Sequence, residues 1–121
     1  MNKETGQAGE ELACQFLLQR NYRILYRNIR CIYGEIDIVA YFDSVIHFVE
    51  VKTRKSLLFG TPVESYTPRK RARIVKTGFW IVNESHLALP AYRHFQFDFI
   101  GYILDHQNRI IQQTWLENAW D

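Results

Sequence analysis

The spacing of apolar side chains predicts two helices. Residues 5–20 place apolar side chains three and four positions apart, as on one face of an amphipathic helix, and Thr5 is a suitable N-cap. Thr67 and Pro68 form an N-cap and first-turn pair that opens a second helix ending near Asn83. The apolar stripe of this second helix is expected to consist of Ile74, Val75, Phe79 and Val82.

Five segments are rich in β-branched and aromatic residues, which predicts strands. They cover residues 22–32, 34–42, 45–54, 94–104 and 109–114. Asn21 tolerates the left-handed conformation that ends a helix, residues 56–68 form a loop, and the tail from Trp115 to Trp120 is expected to pack on the core. The order α-β-β-β-α-β-β predicts an α/β fold, a mixed sheet flanked by helices, in a single domain spanning residues 1–121.

Charged side chains interrupt the apolar second and third strands. Residues two apart share a face of a strand, so Glu35 projects with Asp37 and Glu50 projects with Lys52. If the two strands pair as a hairpin, three carboxylates and one lysine converge. An unpaired buried charge costs several kcal/mol, so a bound divalent metal would satisfy this cluster. An ordinary surface ion pair, using Lys52 or Arg54, is an alternative of about equal weight.

A magnesium ion suits the oxygen atoms that this cluster offers. Mg²⁺ usually binds one or two carboxylates, together with water and substrate phosphate oxygens. Asp37 and Glu50 offer the carboxylates, and the backbone carbonyl of Val51 offers a third oxygen. Lys52 would then orient an attacking water and stabilise the charge that develops on a phosphate group. Mn²⁺ would serve the same purpose.

The positive charge of the chain is concentrated in one stretch. The net charge is only +2, but the segment from Lys52 to Lys76 carries eight basic residues and one acidic residue. A basic segment beside an acidic cluster suits a polyanion held over a metal site, although a solvated helix face explains the charge equally well. The residues expected to hold a nucleic-acid backbone are Arg54, Lys55, Arg69, Lys70 and Arg73.

Several other classes of protein are disfavoured. No apolar run reaches the roughly 18–20 residues needed to cross a membrane, and the first residues lack a signal-peptide pattern. Cys14 and Cys31 have neither a Cys-x-x-Cys partner nor a neighbouring histidine, which argues against zinc and against a disulfide scaffold. His47 and the other histidines show no ligand spacing, so surface or satisfied core positions are expected. We therefore predict a reduced, cytoplasmic protein.

The motifs that carry this cluster resemble a known signature. Glu50-Val51-Lys52, preceded by Asp37, resembles the PD-(D/E)xK nuclease signature, whose core has the order α-β-β-β-α-β. More closely, the chain resembles the YraN-like family of small bacterial proteins, which is similar in fold to archaeal Holliday junction resolvases. This second resemblance runs over essentially the whole chain and rests on residues 6–13, 27–28, 34–37, 48–54, 70–73 and 97–98.

The resemblance implies a restriction-endonuclease-like fold and a set of site residues. Asp37 and Glu50 would be metal ligands, and Lys52 would be the catalytic lysine. Glu10 matches a glutamate on the first helix that approaches the metal in resolvase-like nucleases, although a favourable interaction with the helix dipole explains it equally well. Glu35 would either contact a second metal or pair with an arginine.

These inferences lead to two hypotheses about function. The first is a Mg²⁺- or Mn²⁺-dependent endonuclease that hydrolyses phosphodiester bonds in DNA, including branched or structured DNA. The alternative is a catalytically silent nucleic-acid-binding module that keeps the nuclease fold. A homodimer is a further expectation, because junction-cutting nucleases work in pairs.

Overall fold

The computed structural model describes residues 3–55 and 61–119. The element order agrees with the predicted α-β-β-β-α-β-β, with one additional short 3₁₀ helix, and the α/β class is confirmed. Part of the predicted loop (residues 56–60) and Trp120 lie outside the described residues. The elements are α1 (Lys3–Gln19), β1 (Arg23–Cys31), β2 (Gly34–Phe42), β3 (Val45–Arg54), the 3₁₀ helix (Pro62–Ser65), α2 (Pro68–Asn83), β4 (His94–Leu104) and β5 (Ile110–Leu116).

The five strands form one mixed sheet in the order β1-β2-β3-β4-β5. Strands β3 and β4 are parallel, and the other three pairs are antiparallel. The β2–β3 hairpin turns at Asp43 and Ser44, whose φ angles are 51° and 64°, as in the type I′ turn that matches the twist of paired strands. The parallel pair requires a crossover connection, which contains α2.

One helix covers each face of the sheet, and each face has its own apolar cluster. The α1 cluster includes Ala13, Leu17, Ile38, Val49, Val51, Ile100 and Tyr102. The α2 cluster includes Ile36, Val39, Ile46, Phe48, Ile74, Ile81 and Phe97. The predicted mixed sheet with flanking helices is therefore observed, and β2 and β3 lie inside it with both neighbours paired.

Helix α1 begins earlier than predicted. Because it starts at Lys3, Thr5 lies within the helix and is buried, so its assignment as an N-cap was wrong. Lys and Glu are good helix formers, and nothing in the sequence stops the helix at Thr5. The predicted end is confirmed, since Asn21 adopts a left-handed φ of 68°.

Helix α2 begins as predicted but buries a different stripe. The Thr67 hydroxyl accepts a hydrogen bond of 3.3 Å from the Lys70 amide, which confirms the N-cap. Phe79, however, is 43% exposed, so its assignment to the buried stripe was wrong. The small Thr77 and Gly78 are buried there instead, and a Cβ atom on Gly78 would lie only 2.6 Å from the Phe97 ring.

The end of the described chain packs on α1. Trp115, in β5, makes an edge-to-face contact with Phe16, with ring centroids 5.0 Å apart. The packing expected of Trp115 is therefore observed, but its assignment to a tail after the last strand was wrong, because β5 continues to Leu116. Within residues 3–55 and 61–119, neither helix is long and apolar enough to cross a membrane.

Candidate functional site

Strands β2 and β3 separate at Asp37. Their pairing runs from Phe42 and Val45 to Ile38 and Val49 and continues no further among the described residues. Beyond this point the Val51 amide donates a hydrogen bond of 2.8 Å to Oδ2 of Asp37. The carboxylate thus serves as the acceptor that a backbone carbonyl would provide in a continued ladder. This bond fixes the orientation of Asp37, which is only 7% exposed.

The separation also breaks the alternation of side chains along β2. A regular strand would place Ile36 and Ile38 on the same face. Instead, Ile36 packs with Val39 in the α2 cluster, whereas Ile38 packs in the α1 cluster. The irregularity lies beside Asp37, so it belongs to the local geometry that opens the site.

Asp37 and Glu50 meet at this opening, as the sequence predicted. Burial, and then the hydrogen bond and like charge of Glu50, raise the pKa of Asp37 to about 9. The two residues line an open cavity of ≈ 230 Å³ between the sheet and α2. Its lining consists of Gly34, Glu35, Asp37, Glu50, Lys52, Lys70, Arg73 and Ile74.

The chemistry of this pair fits a hard divalent cation. Two carboxylates forced together repel each other, and a cation between them would remove that repulsion. In the described part of the chain, no three His, Cys, Asp or Glu side chains form a ready-made metal group. Mg²⁺ does not require one, because it commonly keeps several waters beside one or two carboxylates. Val51 is buried, and its carbonyl as a third ligand stays a prediction.

Lys52 lies on the same face of β3 as Glu50 and lines the same cavity. It is half-buried, and within residues 3–55 and 61–119 its ammonium group forms no ion pair. A lysine held at an acidic cavity without a fixed partner can donate to an incoming anionic group.

Glu10 on α1 lies close enough to Asp37 for the two carboxyl groups to interact. Burial and then the negative charge of Asp37 raise its pKa, while a hydrogen bond from Asn28 acts in the opposite direction. Glu10 does not line the cavity itself, so its approach to a bound metal ion stays a prediction. Asn28, at a left-handed φ of 55° in β1, is a site neighbour whose role the sequence analysis missed. Asn28 is one of the motif residues that carry the family resemblance, and asparagine is enriched at left-handed positions. Both signals pointed to this position, but neither revealed its contact with Glu10.

Glu35 pairs with an arginine, which was one of its two predicted roles. Nε of Arg30 lies 2.9 Å from Oε2 of Glu35, and the two residues are directly opposite in the β1–β2 ladder. The Arg30 side chain is 80% exposed, so this ion pair contributes little to stability. Glu35 still lines the cavity and so adds negative charge to it.

The predicted nucleic-acid-binding residues divide into two groups. Lys70 and Arg73, on the first turns of α2, line the cavity. Arg54, Lys55 and Arg69 do not line it, although Lys55 and Arg69 are exposed beyond it. The structure therefore brings two of the five cations directly to the carboxylates, and contact of all five with nucleic acid stays a prediction.

His47 belongs to the core, which is one of the two positions expected for it. Its Nδ1 atom lies 2.6 Å from Oδ2 of Asp98, and both side chains are buried. Asp98 also accepts hydrogen bonds from the Gln96 side chain at 2.9 Å and the Asn118 amide at 2.8 Å. This network joins β3, β4 and the segment after β5, so it explains the Phe97-Asp98 motif structurally.

Comparison with known proteins gives one consistent family. The model of Uncharacterised protein family UPF0102 matches residues 9–102. A UPF0102 protein of Caldicellulosiruptor bescii is 41% identical over 118 residues, covering 98% of both chains. One from Clostridium acetobutylicum is 40% identical over 121 residues, covering 99% of this chain and 96% of the relative. One from Moorella thermoacetica is 44% identical over 108 residues, covering 89% and 88%.

Proposed function

This chain belongs to Uncharacterised protein family UPF0102, and from its site we propose that it is a metal-dependent endonuclease that hydrolyses phosphodiester bonds in DNA. Family membership agrees with the YraN-like resemblance found in the sequence. The name of the family specifies no reaction, so the proposal rests on the chemistry of the site. The likeness to PD-(D/E)xK nucleases and to archaeal resolvases remains part of the proposal.

The observation that carries the proposal is the joint presence of Asp37, Glu50 and Lys52 in one open cavity. Two adjacent carboxylates suit a divalent cation, and a lysine beside them suits a phosphate group. The cations of Lys70 and Arg73 on the opposite wall add a second reason for a phosphate-containing substrate. A purely structural role would leave this concentration of charge without an explanation.

In the proposed reaction a water oxygen bonds to phosphorus while the bond from phosphorus to a sugar oxygen breaks. The water releases a proton to solvent, and the departing sugar oxygen takes one from solvent to become a hydroxyl group. A divalent ion held by Asp37 and Glu50 would supply Lewis-acid polarisation of the phosphate and lower the pKa of the bound water. Val51 contributes by holding Asp37 in place through its amide. Glu10 adds negative charge close to Asp37, which favours a bound cation.

Lys52 would orient the attacking water and donate from Nζ to a non-bridging phosphate oxygen. This interaction strengthens as negative charge develops on the phosphate, so it favours the transition state over the bound substrate. Lys70 and Arg73 would hold the neighbouring phosphates from α2. Such contacts position the DNA without reading its sequence.

A cleavage assay with matched variants tests this function. The protein would be incubated with linear and branched DNA in Mg²⁺, in Mn²⁺ and in a chelator. We expect scission that requires metal and is lost in Asp37→Asn and Glu50→Gln, but is unchanged in Glu117→Gln, which alters an exposed glutamate after β5. Scission that persists in the chelator or in Asp37→Asn would refute the proposed reaction.

One observation favours the alternative of a DNA-binding domain that does not cut. Among the described residues, the site has no ready-made group of three metal-binding side chains, so its affinity for a cation rests on two carboxylates. DNA binding with a steep salt dependence, unchanged in Lys52→Ala and without scission in either metal, would support this second function. A homodimer stays a prediction under both functions.

A further inference from the structure

The turn between β1 and β2 exposes a large apolar side chain beside the candidate site. Cys31 pairs with Gly34 at the end of the ladder, so Ile32 and Tyr33 form the tip of the hairpin. Ile32 is 90% exposed and Tyr33 is 38% exposed. Turns usually carry polar residues or glycine, so neither turn geometry nor core packing explains an isoleucine here.

The turn is held firmly against α2. The Tyr33 amide donates to Sγ of Cys31 at 3.4 Å, and Nε of Arg73 donates to the Tyr33 carbonyl at 3.4 Å. A Cβ atom on Gly34 would lie 3.3 Å from Oγ1 of Thr77, which shows how closely the backbone approaches the helix. Ile32 is therefore presented by a supported turn, and its ordering on binding would cost little entropy.

The same turn forms the rim of the cavity that holds the carboxylates. Gly34 and Glu35, which follow it directly, line the cavity together with Arg73. Arg73 thus contacts both the turn and the space in front of the carboxylates. A DNA backbone seated at Asp37 would pass within reach of Ile32.

An aromatic cleft lies on the other side of the turn. It has a volume of ≈ 360 Å³ and is lined by Tyr33, Val75, Lys76, Phe79 and Trp80, among others. Aromatic faces stack on nucleic-acid bases whatever their sequence. The lining also contains one cation, Lys76, and one carboxylate, Glu84, so the case for this cleft rests on its aromatic faces. The exposure of Phe79, unexpected for a core residue, is explained if this cleft receives a base.

We propose that Ile32 acts as a wedge at an unstacked base step and that the aromatic cleft receives the displaced base. The inference rests on the proposed function and assigns the turn and the cleft that would select DNA with a branch point or unpaired bases beside the cleaved bond. An apolar side chain inserted between base steps costs a few kcal/mol of lost stacking and pairing, and this cost is least where the bases are already unpaired. The wedge therefore discriminates against continuous duplex.

Binding measured without metal tests the wedge separately from cleavage. Fluorescence anisotropy in a chelator would compare a three-way DNA junction with a linear duplex for the wild type, Ile32→Ser and Ile111→Ser. Ile111 is a matched control, since it is 65% exposed on β5, at the opposite edge of the sheet. Melting curves would confirm that both variants fold, as expected for substitutions of exposed side chains.

We expect the wild type to bind the junction more tightly than the linear duplex. The ratio of these two affinities should fall about tenfold in Ile32→Ser and stay unchanged in Ile111→Ser. The fluorescence of a 2-aminopurine base at the branch point should change on binding of the wild type and not of Ile32→Ser. An unchanged preference in Ile32→Ser, or equal binding of both DNAs by the wild type, would overturn the wedge. A junction preference that depends on Ile32, together with no scission of the same junction when Mg²⁺ or Mn²⁺ is supplied, would support the wedge and refute the endonuclease.

Discussion

The Val51 amide donates a 2.8 Å hydrogen bond to the Asp37 carboxylate at the point where β2 and β3 separate. The bond holds Asp37 beside Glu50 whether or not a cation is present. The folded protein therefore keeps two carboxyl groups side by side, one of them buried, and their mutual repulsion lowers its free energy of unfolding. A site of this kind favours cation binding at some cost in stability, as functional sites often do.

Replacing Asp37 with asparagine should stabilise the metal-free protein. The amide side chain of Asp37→Asn would keep an oxygen to accept the Val51 hydrogen bond but would remove the cost of keeping a buried carboxyl protonated at neutral pH. We expect the free energy of unfolding to rise by about 1 kcal/mol, which raises the melting temperature by about 4 °C. Thermal melts in a chelator would measure this. Asp43→Asn is the control, since Asp43 is exposed and asparagine also accepts its positive φ, and a larger gain in that variant would contradict the explanation.

The pH dependence of stability should reveal the same carboxyl group. Because the pKa of Asp37 is about 9 in the folded protein and 3.8 is its ordinary value, the folded state binds more protons between these values. The contribution of Asp37 to stability is then full below about pH 4 and is lost as the pH rises towards 9. Melting temperatures in a chelator should fall with pH across this window for the wild type, and less steeply for Asp37→Asn. Parallel curves would contradict the assignment.

Lys52→Ala should separate chemistry from metal binding. If Nζ acts on the water and the phosphate, turnover at saturating DNA should fall by about 10²- to 10⁴-fold, while metal binding is retained. Single-turnover cleavage, measured beside a metal titration, would check both. Lys55→Ala is the comparison, because that lysine is exposed outside the cavity and should affect DNA affinity but not turnover. Equal losses of turnover in the two variants would argue against a catalytic role for Lys52.

Lys70 and Arg73 on α2 should contribute to the salt dependence of DNA binding. If Lys70 and Arg73 each neutralise one phosphate, each alanine variant should reduce the slope of log K against log salt by about 0.9 for duplex DNA. The measurement is a series of binding titrations at increasing salt concentration. Arg109→Ala is the control, since Arg109 pairs with Asp105 before β5 and should leave the slope unchanged. An unaltered slope in Lys70→Ala and Arg73→Ala would remove α2 from the DNA interface.

Gly9 should be essential for the placement of α1. A Cβ atom there would overlap Oγ1 of Thr53 on β3, so Gly9→Ala should push the helix, with Glu10, away from the site. We expect a loss of about 1–3 kcal/mol in the free energy of unfolding, measured by denaturant titration. Thr53→Ala removes the overlapping oxygen, which has no hydrogen-bond partner among the described residues, so the double variant should recover part of the loss. Strictly additive losses would show that the contact is not the cause.

The sequence predicted the strands well because their signals are local. The bounds of β2, β3 and β4 follow from apolar runs ended by Asp43, Arg54 and Asp105. The start of α1 was wrong because Thr5 is equally acceptable as a cap and as a helical residue. Phe79 was misplaced because the close approach of α2 to Phe97 depends on Gly78, and a helical period alone does not reveal this.

The carboxylate pair was predictable, but its supporting geometry was not. Charges inside apolar strands predicted that Glu35, Asp37, Glu50 and Lys52 would converge, and all four line one cavity. Tertiary packing determines three features that the sequence did not reveal. They are the separation of β2 from β3, the hydrogen bond from Val51, and the position of Asn28 beside Glu10. The turn at Ile32 and Tyr33 was missed for a related reason. Isoleucine is typical of strands, and only the pairing of Cys31 with Gly34 shows that β1 ends before Ile32.

The most direct test of the site is a calorimetric titration of the protein with Mn²⁺. We predict saturable binding by the wild type and by Asp43→Asn, and its loss in both Asp37→Asn and Glu50→Gln, with all three variants folded by circular dichroism. Undiminished Mn²⁺ binding in Asp37→Asn and Glu50→Gln would contradict the proposal that these two carboxylates hold a catalytic metal ion.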